Sequence, residues 1–252
     1  MSTQHLGLPG GIRACLFDLD GVLTHTATMH AAAWQEVFDP FLRERAERTG
    51  DPFVPFDLEG DYRTYVDGKR RRDGVRSFLA SRGIRLHESD VRELAQAKDA
   101  LLLAAVHRDG VERYDASIGY VRAVREAGLR RAVVSASRHC PEVLHAAGIE
   151  DLFELRVDGV VADRERLEGK PAPDTFLAAA AGLGVEPAAC AVFEDALAGV
   201  EAGRAGGFGY VVGVDRAVGQ ADALREHGAD VVVSDLSDLL DARIPGERNG
   251  PQ

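Results

Sequence analysis

Two acidic pairs, a serine and a lysine are the residues of this chain best placed to do chemistry. The first pair lies in Leu16-Phe17-Asp18-Leu19-Asp20-Gly21-Val22-Leu23-Thr24, where an apolar run leads straight into two aspartates and a glycine. If the run is a strand of a parallel sheet, both carboxylates leave its carboxyl end, where such sheets bind ligands. One carboxylate could attack a phosphorus atom while the other carries the proton of the leaving or entering oxygen. The same pattern also suits a solvated strand end or a calcium loop. An EF-hand, however, needs Glu at loop position 12, and counting from Asp18 that position is Met29.

Three further stretches have the same character. Val133-Val134-Ser135-Ala136-Ser137 ends an apolar run with a hydroxyl and small-residue amides suited to phosphoryl oxygens, although a serine cap of a helix reads identically. Gly169-Lys170-Pro171-Ala172-Pro173-Asp174 holds a lysine in a proline-stiffened loop that opens a helix, where an ammonium can neutralise phosphate charge. Val192-Phe193-Glu194-Asp195-Ala196 offers two adjacent acids as hard oxygen ligands for Mg²⁺, with helix capping by Asp195 as the plainer alternative.

These residues must be held by an open sheet. Short runs that are apolar throughout, Ala14–Phe17, Arg131–Ser135, Ala191–Phe193, Tyr210–Val214 and Val231–Val233, read as strands covered on both faces. Helical stretches such as Ile118–Ala127, Cys140–Ala147, Pro173–Leu183, Ala196–Ala205 and Ala221–His227 separate the later ones. Alternation of this kind predicts an α/β fold with a doubly wound parallel sheet. The first strand is out of rhythm, because residues 28–108 read as helical with no convincing strand. We therefore expect a core of residues 1–27 and 109–252 and an inserted helical cap of residues 28–108, with two hinges beside the end of the first strand. Asp90-Val91-Arg92-Glu93 reads as a capping box opening a cap helix, with Gly110 as its stop. Residues 1–10 and 245–252, rich in Gly, Pro and polar types, are expected to fray.

Composition narrows the function. The 252 residues carry 30 basic and 41 acidic side chains, a net charge of −11, which disfavours nucleic acid as a partner but permits a small phosphorylated substrate held by local cations. No apolar stretch approaches the ~20 residues of a membrane span, and Met1–Gly11 lacks the pattern of a secretory signal. Cys15, Cys140 and Cys190 are too scattered for a disulfide framework and read as reduced thiols, so a cytoplasmic setting is expected. Cys15 alternates with Phe17 inside the first strand and reads as core. A charge run, Lys69-Arg70-Arg71-Arg72, stands out in so acidic a chain; it is either a solvated face or a phosphate anchor.

Taken together and in this order, the four stretches resemble the haloacid-dehalogenase superfamily over about residues 12–235. Within it, Phe17 to Thr24 followed by Thr26, His30 and Trp34 resembles the β-phosphoglucomutase-like subgroup, as do Ser135-Ala136-Ser137, Lys170 to Asp174 and Glu194-Asp195. The segment Val66 to Val75 is similar to a branch of that subgroup associated with disaccharide phosphorolysis. The family usually has Asp at the position of His25 and Asn near His139.

The resemblance implies that Asp18 is a nucleophile that becomes an aspartyl phosphate and Asp20 the general acid/base. It implies Mg²⁺ on Asp18, the backbone carbonyl of Asp20, Glu194 and Asp195, and a phosphoryl group held by Ser135, the Ala136 amide and Lys170. In the cap it implies Arg71 as the grip on a distal phosphate, with Lys69, Arg70 or Arg72 as alternatives because the cap departs from the family between Glu36 and Tyr65, and Lys98 as a sugar contact. Thr26 and His30 would couple cap closure to Asp20, and Trp34, one helical turn beyond His30, reads as packing. The implied activity is an isomerase interconverting β-glucose 1-phosphate and glucose 6-phosphate, with glucose 1,6-bisphosphate as activator and intermediate. A Mg²⁺-dependent phosphomonoester hydrolase on the same core is the alternative. A dehalogenase would have no use for Asp20 or the metal acids, and a non-catalytic sugar-phosphate binder would not need all five core residues. The expected partner is a small phosphorylated sugar, and the chain is expected to be a monomer.

Overall fold

In a computed structural model, residues 3–216 and 219–241 are described. Six strands, β1 (Ala14–Phe17), β2 (Arg130–Val134), β3 (Leu155–Val157), β4 (Cys190–Glu194), β5 (Tyr210–Val214) and β6 (Val231–Val233), form one sheet in the order β3-β2-β1-β4-β5-β6. Every pairing is parallel. Winding reverses at β1, and such a switch point leaves a crevice beyond the strand ends.

Ten α-helices complete the described chain. They are α1 (Thr26–Thr49), α2 (Arg71–Ser81), α3 (Glu88–Asp109), α4 (Asp115–Glu126), α5 (Cys140–Ala147), α6 (Gly159–Glu165), α7 (Asp174–Leu183), α8 (Leu197–Ala205), α9 (Ala221–Glu226) and α10 (Asp238–Asp241). No helix among the described residues is long and apolar enough to cross a membrane.

Successive β1 residues point to opposite faces, and both faces are packed. Cys15 and Phe17 join an apolar cluster with Tyr120, Val133 and Phe193; Ala14 and Leu16 join another with Ala132, Val134 and Phe176. Double coverage is why the inner strands carry no alternation. Phe17 stacks on Phe193 with ring centroids 4.5 Å apart, a contact contributing about 0.5–1.5 kcal/mol beyond its area and tying the two strands whose ends carry the acids. All three cysteines are buried and free, and burial pushes the Cys15 thiol far up, which keeps it inert in the core.

Helices α1, α2 and α3, with a π-helical turn at Tyr62–Val66, follow β1 in the chain and contain no strand among them. They bury their own apolar cluster, centred on Trp34, Phe38, Phe56, Phe78 and Val91. Trp34 stacks on Phe38 at 5.0 Å, in keeping with a packing role. The two chain crossings run side by side: His25 N–H donates to Glu112 O (2.9 Å) and Tyr114 N–H to Leu23 O (3.0 Å). The unusual His25 stacks on Tyr114, 3.6 Å between centroids.

Three expectations need correction. The sheet has a sixth strand, β3, which escapes a reading by apolar runs because it is three residues long and interrupted by the exposed Arg156. Helix α3 opens at Glu88 rather than at the Asp90 capping box; His87 is its N-cap residue, with no side-chain bond, while Gly110 ends it as expected. Residues 3–10 are not frayed: Thr3–Leu6 form a 3₁₀ turn, Leu6 and Leu8 are buried, and the Tyr120 hydroxyl donates to Leu6 O at 2.8 Å. Apolar anchors outweigh the Gly and Pro content there. The expectation for residues 245–252 lies outside the described residues.

Candidate active site

The ends of β1, β2 and β4 converge because they are neighbours in the sheet. Asp18 follows β1 and its amide donates to Phe193 O at 2.9 Å, which fixes it beside Glu194. Asp20 lies one step further, after which the chain must turn away sharply. Gly21 makes the turn with φ +86°, and a Cβ there would sit 1.8 Å from Asp195 Oδ2. Only glycine satisfies both the backbone and the closeness of the acid.

Lys170 reaches in from the loop before α7. It is 4% exposed, and Asp18 and Glu194 are 6% and 0%. Its ammonium donates to Asp18 Oδ1 at 2.5 Å, to a Glu194 oxygen and to Val134 O at 3.3 Å. Burial opposes its charge, but the two carboxylates outweigh burial and hold it firmly protonated. Burial pushes the Asp18 carboxyl well up against the pull of Lys170, and Glu194 and Asp20 add to the push. Asp195 is driven well up too, by burial first and then by the acids around it.

One cation among so many carboxylates leaves excess negative charge. Asp18, Glu194 and Asp195 each offer an oxygen, all within 4.8 Å of one another. An all-oxygen, buried, under-compensated cluster fits a hard divalent cation such as Mg²⁺.

Asp20 is treated differently. Thr26, buried at the start of α1, donates to its Oδ1, and Ser135 Oγ donates to Oδ2 at 3.2 Å. His30 Nε2 lies 3.4 Å from Oδ1. Burial would raise this carboxyl, but His30, Thr26 and Lys98 overcome it and hold Asp20 well below the usual range. Behind His30, the Lys98 ammonium stands 3.0 Å from Nδ1. An ammonium has no lone pair, so Nδ1 must accept and the ring proton sits on Nε2, facing Asp20. Burial and then Lys98 lower the His30 pKa, so the ring is neutral near pH 7. Lys98 is itself pushed down to about 8 by burial, with Asp99 and Asp20 opposing.

A cleft of ≈ 560 Å³, its mouth included, is lined by both aspartates, Asp195, Ala136, His30, Lys98 and Arg71. Arg71 Nε pairs with Asp99 at 3.0 Å. Of the other cations in its run, Lys69 donates to Ser77 Oγ (3.0 Å) and Arg70 turns away to Asp163. The structure thus brings all of the sequence-derived residues to one cleft or its immediate wall.

Other lining residues do not stand out in the sequence. Asp67 faces the acid cluster, and its carboxyl is raised to about 7, by burial first and then by Glu194. Arg138 lies three residues past Ser135 and Asp99 directly follows Lys98; both are within reach as neighbours of chosen residues. Asp67 is overshadowed by the four cations after it.

Chemically, this arrangement can receive a phosphoryl group between a buried lysine and a cation site, with one carboxylate to bond phosphorus and a second to exchange a proton.

Known proteins share this plan. Residues 12–207 match the model of the haloacid dehalogenase-like hydrolases. The chain is 54% identical to a β-phosphoglucomutase of Mycobacterium tuberculosis (strain CDC 1551 / Oshkosh), covering 94% of this chain and 95% of that one. It is 33% identical to a β-phosphoglucomutase of Bacillus subtilis (strain 168), over 90% and 92% of the two chains. Among solved structures, β-phosphoglucomutase from Clostridium difficile superposes with a TM-score of 0.71 at 25% identity, covering 90% of this chain and 93% of that one. By fold, by the placement of its acids and by these likenesses, the chain belongs to the haloacid dehalogenase-like family, in its β-phosphoglucomutase-like branch.

Proposed function

We propose that this protein is a β-phosphoglucomutase that interconverts β-glucose 1-phosphate and glucose 6-phosphate through an aspartyl phosphate on Asp18 and a glucose 1,6-bisphosphate intermediate. The observation that carries this reading is the two-sided grip on Asp20. A core serine holds one oxygen and Thr26, at the hinge that opens α1, donates to the other, while from the helices above His30 Nε2, backed by Lys98, stands 3.4 Å from that same oxygen. Acid/base chemistry is thereby tied to the position of residues 28–108, which act as a cap over a core of residues 1–27 and 109–252.

In the first half-reaction the C6 hydroxyl of β-glucose 1-phosphate attacks phosphorus of phospho-Asp18, which glucose 1,6-bisphosphate has primed. The bond from phosphorus to the Asp18 oxygen breaks and Asp20, resting as a carboxylate, takes the hydroxyl proton. The resulting glucose 1,6-bisphosphate turns over in the cleft. In the second half-reaction an Asp18 oxygen bonds to the C1 phosphorus as the bond to the C1 oxygen breaks, and Asp20 returns its proton to that oxygen, releasing glucose 6-phosphate and restoring phospho-Asp18. Lys170, Ser135 and the Ala136 amide hold the transferring group, and Arg71 the distal phosphate. Lys98 meets the sugar and keeps the His30 proton directed at Asp20. Asp18, Glu194, Asp195 and the Asp20 carbonyl would hold Mg²⁺, which supplies charge stabilisation for the phosphoryl oxygens. The substrate is a small phosphorylated sugar, and a cytoplasmic monomer suits that role.

The test is a coupled assay on β-glucose 1-phosphate beside a panel of phosphomonoesters. Glucose 6-phosphate should form, with catalytic glucose 1,6-bisphosphate shortening any lag and little inorganic phosphate released. The α-anomer should be poor, because its C1 phosphate leaves the ring in a direction that misses the line to Asp18. Phosphate release outpacing glucose 6-phosphate across unrelated esters would install the hydrolase.

A further inference from the structure

Four consecutive cations open the α2 segment, yet they do different things. Lys69 donates to Ser77 Oγ and to Thr64 O, and Arg71 pairs with Asp99, all within the helical layer. Arg72 is exposed. Arg70 reaches the sheet layer. Its guanidinium donates to Leu167 O at 2.8 Å and to the Asp163 carboxylate on α6. The other Asp163 oxygen takes a 2.5 Å bond from Arg138, which follows Ser135-Ala136-Ser137. The stem of Arg70 lies across Gly169, the residue before Lys170, where a Cβ would come within 2.4 Å of its Cγ and Cδ. Two residues earlier, Gly68 abuts the loop after β4; a Cβ there would lie 2.9 Å from Ala196 Cβ.

We infer that Arg70 and Asp163 form the latch that seats the cap on the core and sets how the phosphoryl group of phospho-Asp18 divides between sugar and water. Arg70 docks between the loop bearing Lys170 and the loop bearing Ser135 and Ala136. It can do so only when the helical layer lies down on the cleft. Opening returns both charges to water and uncovers the groups below, so a weaker latch lengthens the time that solvent can reach the phosphoenzyme. Arg70 is a positioning residue, since it touches the cleft's frame and not the reacting atoms. The partition half of this inference rests on the mutase reading; the latch itself does not.

The experiment has two independent readouts. Backbone hydrogen exchange is measured over residues 66–75 and 163–170 in the substrate-free protein, and glucose 6-phosphate and inorganic phosphate are both followed from β-glucose 1-phosphate. Arg70→Ala and Asp163→Asn should each speed exchange in both segments. They should also raise the ratio of phosphate to glucose 6-phosphate by roughly fivefold, the scale of a half-exposed ion pair. The double variant should do little more than either single one. Arg70→Lys should restore part of the effect, because an ammonium can pair with Asp163 but cannot also span to Leu167 O. Unchanged exchange in both single variants overturns the latch, whatever the products. Faster exchange with an unchanged product ratio overturns the partition. Faster exchange in an enzyme whose wild type releases only phosphate upholds the latch and refutes the mutase reading instead.

Discussion

On the core wall of the cleft, Lys170 sits between Asp18 and Glu194, with Asp195 beside them, and almost nothing there is exposed. On the cap wall, Lys98 leans on His30 and Arg71 on Asp99, and these side chains come from α1, α2 and α3. The core wall is anchored by strand ends locked in register by the sheet. The cap wall is anchored by helices packed on their own apolar cluster, so its residues share one support. The first wall is suited to chemistry that needs fixed atoms, and the second to binding and release.

That contrast can be broken most severely at Asp18. Asp18→Asn should reduce turnover on every phosphate ester by on the order of 10⁴-fold or more, as loss of a nucleophile does. The fold should persist because the change is isosteric and Lys170 keeps Glu194. Steady-state assays and thermal melts check both halves, and substantial activity in that variant would dispose of the aspartyl-phosphate route.

Removing divalent metal should come next. Turnover should vanish in excess chelator and return with added Mg²⁺. Because binding to the native state stabilises it by mass action, Mg²⁺ should also raise Tm. Asp195→Asn should lose that shift. A Tm indifferent to Mg²⁺ in the wild type would count against the acid cluster as a cation site.

Arg71→Ala tests the cap wall alone. Losing charge-assisted bonds worth about 1.5–3 kcal/mol should cost roughly ten- to a hundredfold in kcat/KM on the sugar phosphate. A small ester such as p-nitrophenyl phosphate, which has no distal phosphate, should be spared. Equal losses on both would assign Arg71 to structure rather than to the substrate.

The mildest effect concerns pH. Lys98 has its pKa lowered to about 8, so its charge is present below that pH and lost above it. The ammonium can only donate to Nδ1 and so directs the His30 proton at Asp20, whereas the neutral amine carries a lone pair and can accept from Nδ1 instead. Mutase kcat/KM should therefore decline above about pH 8, and Lys98→Arg, which stays charged, should move the decline upward. The same lowered pKa makes the buried charge a cost to folding below about pH 8. That cost is relieved as pH rises toward the ordinary lysine value, so wild-type stability should gain relative to Lys98→Met between those limits. A pH profile identical in wild type and Lys98→Arg would detach Lys98 from the limb.

How much is legible in the chain divides along the same two walls. Asp18, Ser135, Lys170, Glu194 and Asp195 can be picked out because each follows an apolar run or opens a helix. In a parallel sheet, such positions can only converge at one edge. Central strands are visible because double burial makes them apolar throughout; β3, at the edge with Arg156 exposed, has no such mark. The N-terminal segment misleads because Gly and Pro content says nothing about whether Leu6 and Leu8 find a core.

The sequence by itself determined the residue types of the acid–lysine cluster, the α/β alternation and the helical insertion after the first strand. These are set by local periodicity and by the order of motifs along the chain. Tertiary structure alone decided that Lys69 and Arg71, of the four adjacent cations, line the cleft, that Arg70 crosses to Asp163, that Asp67 faces the acids and that Lys98 fixes the His30 tautomer. Those outcomes depend on contacts across tens of residues, such as Arg70 with Asp163 or His30 with Lys98. No local pattern encodes such contacts, because the rotation of each helix about its axis is settled only when its apolar face finds a partner.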